Sequence, residues 1–225
     1  MAVASAPVAA PADQLRQRLL RGRGRLLVLV ATTSVWLIDL LLAHHLEQDQ
    51  QIQPPWRGPI TTIEHAGTLL FVLITAGLVV SLFSGSTRRL FRWSLAYLSF
   101  SVVQVVANVL GMVFTAHHAS GQGLSSLWDV MAVYMQSVLV FMFIYIFLDV
   151  STPGGAFVWP SRDGEQPPMP HLIDYLFISL NVNSTYGPTS EALISRPAKL
   201  VMALQVLLAI LMLTVLIARA VSAIN

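Results

Sequence analysis

One stretch of the chain concentrates groups suited to handling ions or small polar solutes. Asn181, Asn183, Ser184, Thr185, Tyr186, Gly187, Thr189 and Glu191 lie close together between two apolar segments. Amides and hydroxyls in such a turn could line a path for hydrated ions, and Glu191 at its edge could draw cations to a mouth. The plainer reading is a capped turn, with Ser184 or Thr185 bonding to loose backbone groups. Both readings need a structure that holds the turn in place.

Two other sets carry titratable chemistry. Asp39 sits inside an apolar run, VWLIDLLLA. An ionisable group at membrane depth marks a functional site by default, unless it reaches the interface or pairs with a hydroxyl on a neighbouring helix. His44, His45, His65, His117 and His118 all fall at one end of the expected helices, with Glu64 beside His65. Imidazole titrates near neutral pH and is the commonest metal ligand. These five are therefore candidate ligands for zinc, copper or a haem, against the alternative that histidine simply suits an interface. No resident cofactor is expected. The remaining polar groups, Gln104 and Asn108 on one helix face, Gln136, and Gln205, read as hydrogen-bonding glue between helices.

The elements that must position these groups are legible from composition. The chain has 225 residues, 55% hydrophobic and 11% charged, with a mean hydropathy of +0.68. Soluble domains carry about 25% charged residues, so an all-α integral membrane bundle is expected. Without cysteine, disulfides, thiolate metal sites and thiol chemistry are excluded. No phosphate loop, HExxH or GxSxG occurs, and the carboxylates are scattered over different loops, so no enzyme is expected. Nucleic acid is not an expected partner; membrane lipids are.

Residues 1–25 read as a basic, mostly disordered tail with five arginines from Arg16 to Arg25. No cleavage site follows, so the first apolar run is expected to be a retained anchor. Residues 26–150 read as four spanning helices, near 26–46, 61–83, 93–116 and 127–150. The loops between them are 47–60, with Pro54 and Pro55, a second with Arg88, Arg89 and Arg92, and a third without Lys or Arg. Residues 151–170 are a Gly/Pro-rich connector. Residues 171–225 hold a short apolar segment, His171 to Val182, the polar turn, and a fifth spanning helix from Pro197.

A spanning helix needs about 20 apolar residues, whereas a run of 10–14 suits a re-entrant or buried helix. The short segment is thus expected to enter the membrane and come back. Non-helical backbone at that depth survives only in protein or beside a water-filled cavity. With the N-terminus in the cytoplasm, eleven of the thirteen Lys and Arg fall on inner segments, leaving Arg57 and Arg219 outside. That bias predicts a cytoplasmic N-terminus and a re-entrant segment that enters from the cytoplasmic side.

At DYLFISLNVNSTYGPTSE the chain resembles the pore loop of two-helix potassium channels, with Phe177, Ser179, Leu180, Ser184, Thr185 and Gly187 at matching positions. In place of the TVGYG filter stands Thr185-Tyr186-Gly187-Pro188-Thr189. Proline fixes φ and removes a donor, which argues against a carbonyl ladder selective for potassium. The last eighty or so residues are also similar to a family of uncharacterised bacterial membrane proteins labelled ion-channel-like. That likeness rests on Leu148-Asp149, Gly154-Gly155, Phe157 to Pro160, Asp174 to Phe177, Pro188-Thr189, Ser195-Arg196, Ala198 to Leu200, Gln205 and Ala218 to Val221. It implies a pore-loop-like fold in a bacterial inner membrane.

Three functions follow as expectations. The first is a channel-like homo-oligomer whose pathway is lined by residues 183–189. The second is a structural or assembly subunit bound to other membrane proteins. The third is a redox or metal-binding protein that uses the histidines. Asp149 and the Gly154-Gly155 turn are expected to be structural, with Asp149 bonding to the short apolar element.

Overall fold

The computed structural model describes residues 11–20, seven positions between 28 and 37, and residues 54–84, 86–115, 123–161, 168–184 and 192–222. It is helical throughout, apart from one small strand pair. The elements are α1 (Pro11–Leu20), α2 (Pro54–Phe83), α3 (Thr87–Thr115), α4 (Gly123–Ser151), β1 (Phe157–Val158), α5 (Leu172–Asn183), β2 (Ala192–Leu193) and α6 (Arg196–Ser222). The described positions between 28 and 37 are helical too.

Among the described residues, three helices are long and apolar enough to cross a membrane: Arg88–Leu110, Val130–Ser151 and Arg196–Ala218. Two shorter apolar helices are Leu69–Phe83 and Leu172–Asn183. The first expected spanning segment lies mostly outside the described residues.

Several boundaries move. The loop expected over 47–60 is helical from Pro54, because Pro54 and Pro55 occupy a first turn, where a missing N–H has no intrahelical acceptor to lose. Arg88, Arg89 and Arg92 lie on the first turns of α3 rather than in a loop; the connection shrinks to the few residues after Phe83. The tail expected to be mostly disordered contains α1. Ala12 and Leu15 are buried, and Leu19 packs on the core, so residues near i, i+3 and i+7 form the apolar stripe that a docked helix needs.

α4 is the centre of the bundle. Of its apolar span 61% is buried, against 28% for the spans of α3 and α6. Its Val133, Phe141 and Tyr145 meet Val105 and Val109 of α3, Tyr175, Ile178 and Val182 of α5, and Met212 and Val215 of α6 in one core cluster. α2 lies close on α3 at Gly77, where a Cβ would come within 2.6 Å of the Trp93 ring. Any larger residue would require the Trp93 ring to shift.

The C-terminal third makes an excursion down the side of α4 and back. At the start of α5, Tyr175 touches Asp149. Four residues later, Ser179 bonds to the carbonyl of Val138, and at the end Asn183 faces that of Tyr134. α5 therefore runs antiparallel to α4 from its C-terminal end. Asp149 and Tyr134 are fifteen residues apart, about 22 Å along a helix at 1.5 Å per residue.

β2 then lies back at the starting level. It pairs antiparallel with β1, Phe157 opposite Leu193 and Val158 opposite Ala192, and Ile194 N–H donates to the Ala156 carbonyl at 3.1 Å. Nine steps of chain separate Asn183 from Ala192. At about 3.4 Å each they can reach about 30 Å, enough for the return. The side chain of Ser195 then accepts the Ala198 N–H at 3.3 Å, which caps α6 one residue before Arg196 opens it.

Candidate functional site

Two polar nodes hold α5 against the bundle. The first is Asp149, fully buried near the end of α4. Its Oδ1 accepts the backbone N–H groups of Ala156, at 2.5 Å, and Phe157, at 3.2 Å. Its Oδ2 accepts the Tyr175 hydroxyl at 2.5 Å and the Trp159 indole N–H at 3.4 Å. All four partners donate, which suits a side chain that only accepts.

The turn leading there depends on glycine. Gly154 and Gly155 have φ of +79° and +93°, where L side chains are strained. A Cβ on Gly155 would also stand 2.9 Å from the Asp149 Oδ1. Rings enclose the node: Phe157, Trp159 and Tyr175 pack edge-on or tilted with centroids 5.2–6.0 Å apart, and Tyr145 meets Phe157 at 5.7 Å. Tyr175 is itself fully buried, and its hydroxyl has Asp149 as its acceptor.

The second node is Gln205, fully buried on α6. Its Oε1 accepts the Tyr145 hydroxyl at 2.6 Å. Its amide nitrogen reaches the Ser179 carbonyl at 3.0 Å, the Ser179 hydroxyl at 2.9 Å and Asn183 Oδ1 at 2.9 Å. With two hydrogens for three acceptors, one must be shared. The Ser179 hydroxyl itself donates to the Val138 carbonyl at 2.7 Å. This one amide ties α4, α5 and α6 together. A smaller bridge, Asn108 donating to Gln136 at 3.0 Å, joins α3 to α4. The glue reading of these amides is what the structure shows, and so is the bond from Asp149 to the short element.

Of the turn residues singled out, Asn183 is buried inside the chain on the Gln205 node. Asn181 is half-buried and accepts the Ser184 hydroxyl at 3.0 Å through its backbone carbonyl. Among the described residues its buried Nδ2 has no partner, and the same holds for the hydroxyl of Ser137. Ser184 is exposed and closes α5. Thr185, Tyr186, Gly187, Thr189 and Glu191 lie outside the described residues, as do Asp39, His44, His45, His117 and His118 and the side chain of His65. Among the described residues no three His, Asp or Glu come together as a metal site.

Tyr145, Tyr175, Ser179 and Trp159 were not singled out from the sequence as a polar site. A signal for part of it was there: Tyr175, Ser179 and Asn183 recur every four residues, a polar stripe along one face of a short helix. Compared with known families, curated proteins and solved structures, the chain shows no significant match.

Proposed function

We propose that this chain is a channel-like membrane protein, and that several copies together form a pathway for ions or small polar solutes. α5 is the re-entrant helix of that reading, α6 the spanning helix beside it, and the turn after Asn183 the lining. The observation that carries it is the descent of 172–183 along α4 and the position of 192–193 back at the starting level. A twelve-residue helix is about 18 Å long, too short to cross. It runs alongside a span of α4, and the β1–β2 pair brings the chain back to the end where it started.

The nodes give this excursion rigidity. Asp149 fixes the first turn of α5 and Gln205 its last. One chain has one such excursion, so a pathway requires copies around an axis. Exposed Ile173 and Phe177 on α5, and Leu200, Leu207 and Ile217 on α6, are apolar faces for neighbouring copies or lipid.

The absence of cysteine makes the test direct. Single cysteines at Ser184, Thr189 and Glu191 are placed in the full chain and reconstituted into vesicles. Modification by a charged, membrane-impermeant thiol reagent is expected to block solute flux, and cross-linking is expected to yield a closed oligomer. A monomer in lipid with no flux of ions or small solutes overturns the proposal.

A further inference from the structure

The opposite flank of α4 carries a feature that the excursion does not use. Arg16 of α1, Arg88 and Arg92 of α3, Phe91 and Ser151 line one groove. Among the described residues the lining holds three guanidinium groups from two separate elements and no carboxylate. The Arg16 guanidinium carbon lies 5.4 Å from the centre of the Phe91 ring, a cation–π placement that steadies one arginine over the groove.

Phe91 also lines a second, mainly apolar cavity of about 120 Å³, together with Leu19, Leu90, Phe143, Phe147 and Val150. One ring thus divides a basic compartment from an apolar one. The height of this pair along the bundle matters. The apolar span of α3 begins at Arg88, and that of α4 ends at Ser151. In a bilayer crossed by these spans, the arginines would stand where hydrocarbon gives way to headgroups, with the apolar cavity on the hydrocarbon side.

We infer that this is a binding site for an anionic phospholipid, with the phosphate among Arg16, Arg88 and Arg92 and an acyl chain against Phe91 and Phe147. Arginine suits the role because its planar fork meets phosphate oxygens with two parallel hydrogen bonds. A free phosphate would use the arginines alone and leave the apolar cavity without purpose. The bound lipid would clamp α1 to the bundle, since α1 supplies both Arg16 and Leu19. The site requires the chain to sit in a bilayer, but not to conduct.

The test is native mass spectrometry of the full chain released from vesicles of phosphatidylglycerol and phosphatidylcholine. The wild type is expected to retain phosphatidylglycerol selectively. Arg16→Gln/Arg88→Gln/Arg92→Gln should lower that retention about a hundredfold, at about fivefold per basic residue near the surface. Phe91→Ala, with every arginine present, should lower it severalfold. Arg196→Gln/Lys199→Gln, which removes two basic residues at α6, should leave it unchanged. Equal loss in that control, no change in the triple variant, or displacement of the lipid by millimolar inorganic phosphate each overturns the assignment. Because the readout is lipid retention, a chain that fails to conduct can still pass it.

Discussion

The two nodes that brace α5 are built from different chemistry. Asp149 collects four donors, two of them from the backbone of the connector. Gln205 both gives and takes, and its partners are mostly side chains on two other helices, α4 and α5. The carboxylate therefore shapes a loop, folding 154–159 around itself, whereas the amide registers helices that would pack in any case. Removing the first should dismantle local structure. Removing the second should loosen an assembled one.

Asp149→Ala is expected to have the largest effect. It leaves two backbone N–H groups, an indole and a phenol unpaired in a buried site, a loss of about 3–5 kcal/mol when each orphaned donor costs about 1–3 kcal/mol and the site relaxes in part. Thermal unfolding in detergent should show it. Asp149→Asn keeps one accepting oxygen and should fall between this variant and the wild type.

Gly155→Ala comes next, at about 2–3 kcal/mol, because it combines positive φ with a Cβ against Asp149 Oδ1. Gly154→Ala has positive φ but open space around its Cβ, so it should lose only about 1 kcal/mol. A Gly154 variant as damaging as the Gly155 variant would show that the contact with Asp149 does not matter.

Gln205→Leu should be milder than either Asp149→Ala or Gly155→Ala. Hydrogen bonds between helices in a membrane contribute about 0.6 kcal/mol each, so losing this set should amount to about 2 kcal/mol. If Gln205→Leu proved worse than Asp149→Ala, the assignment of roles would be reversed.

Tyr175→Phe removes a single donor and should lose about 1 kcal/mol.

Much of the architecture was legible in the residues. The short apolar run from 171 to 182 reappears as a helix ending at Asn183, because its length and flanking polar residues set its limits locally. Pro197 sits in the first turn of α6, where proline is tolerated. The paired glycines form the turn expected of them. α1 was missed because five arginines dominate its surroundings, while its buried stripe of Ala12, Leu15 and Leu19 gains its meaning only against α4.

The amino-acid order by itself determined which segments are apolar helices, which are turns, and where positive charge accumulates, since these follow from side-chain hydropathy and backbone preference over a few residues. The tertiary structure alone decided who meets whom. Tyr145 and Gln205 are sixty residues apart, and Asp149 and Tyr175 twenty-six. A hydrogen bond demands atoms within about 3 Å, and that register exists only once α4, α5 and α6 have packed.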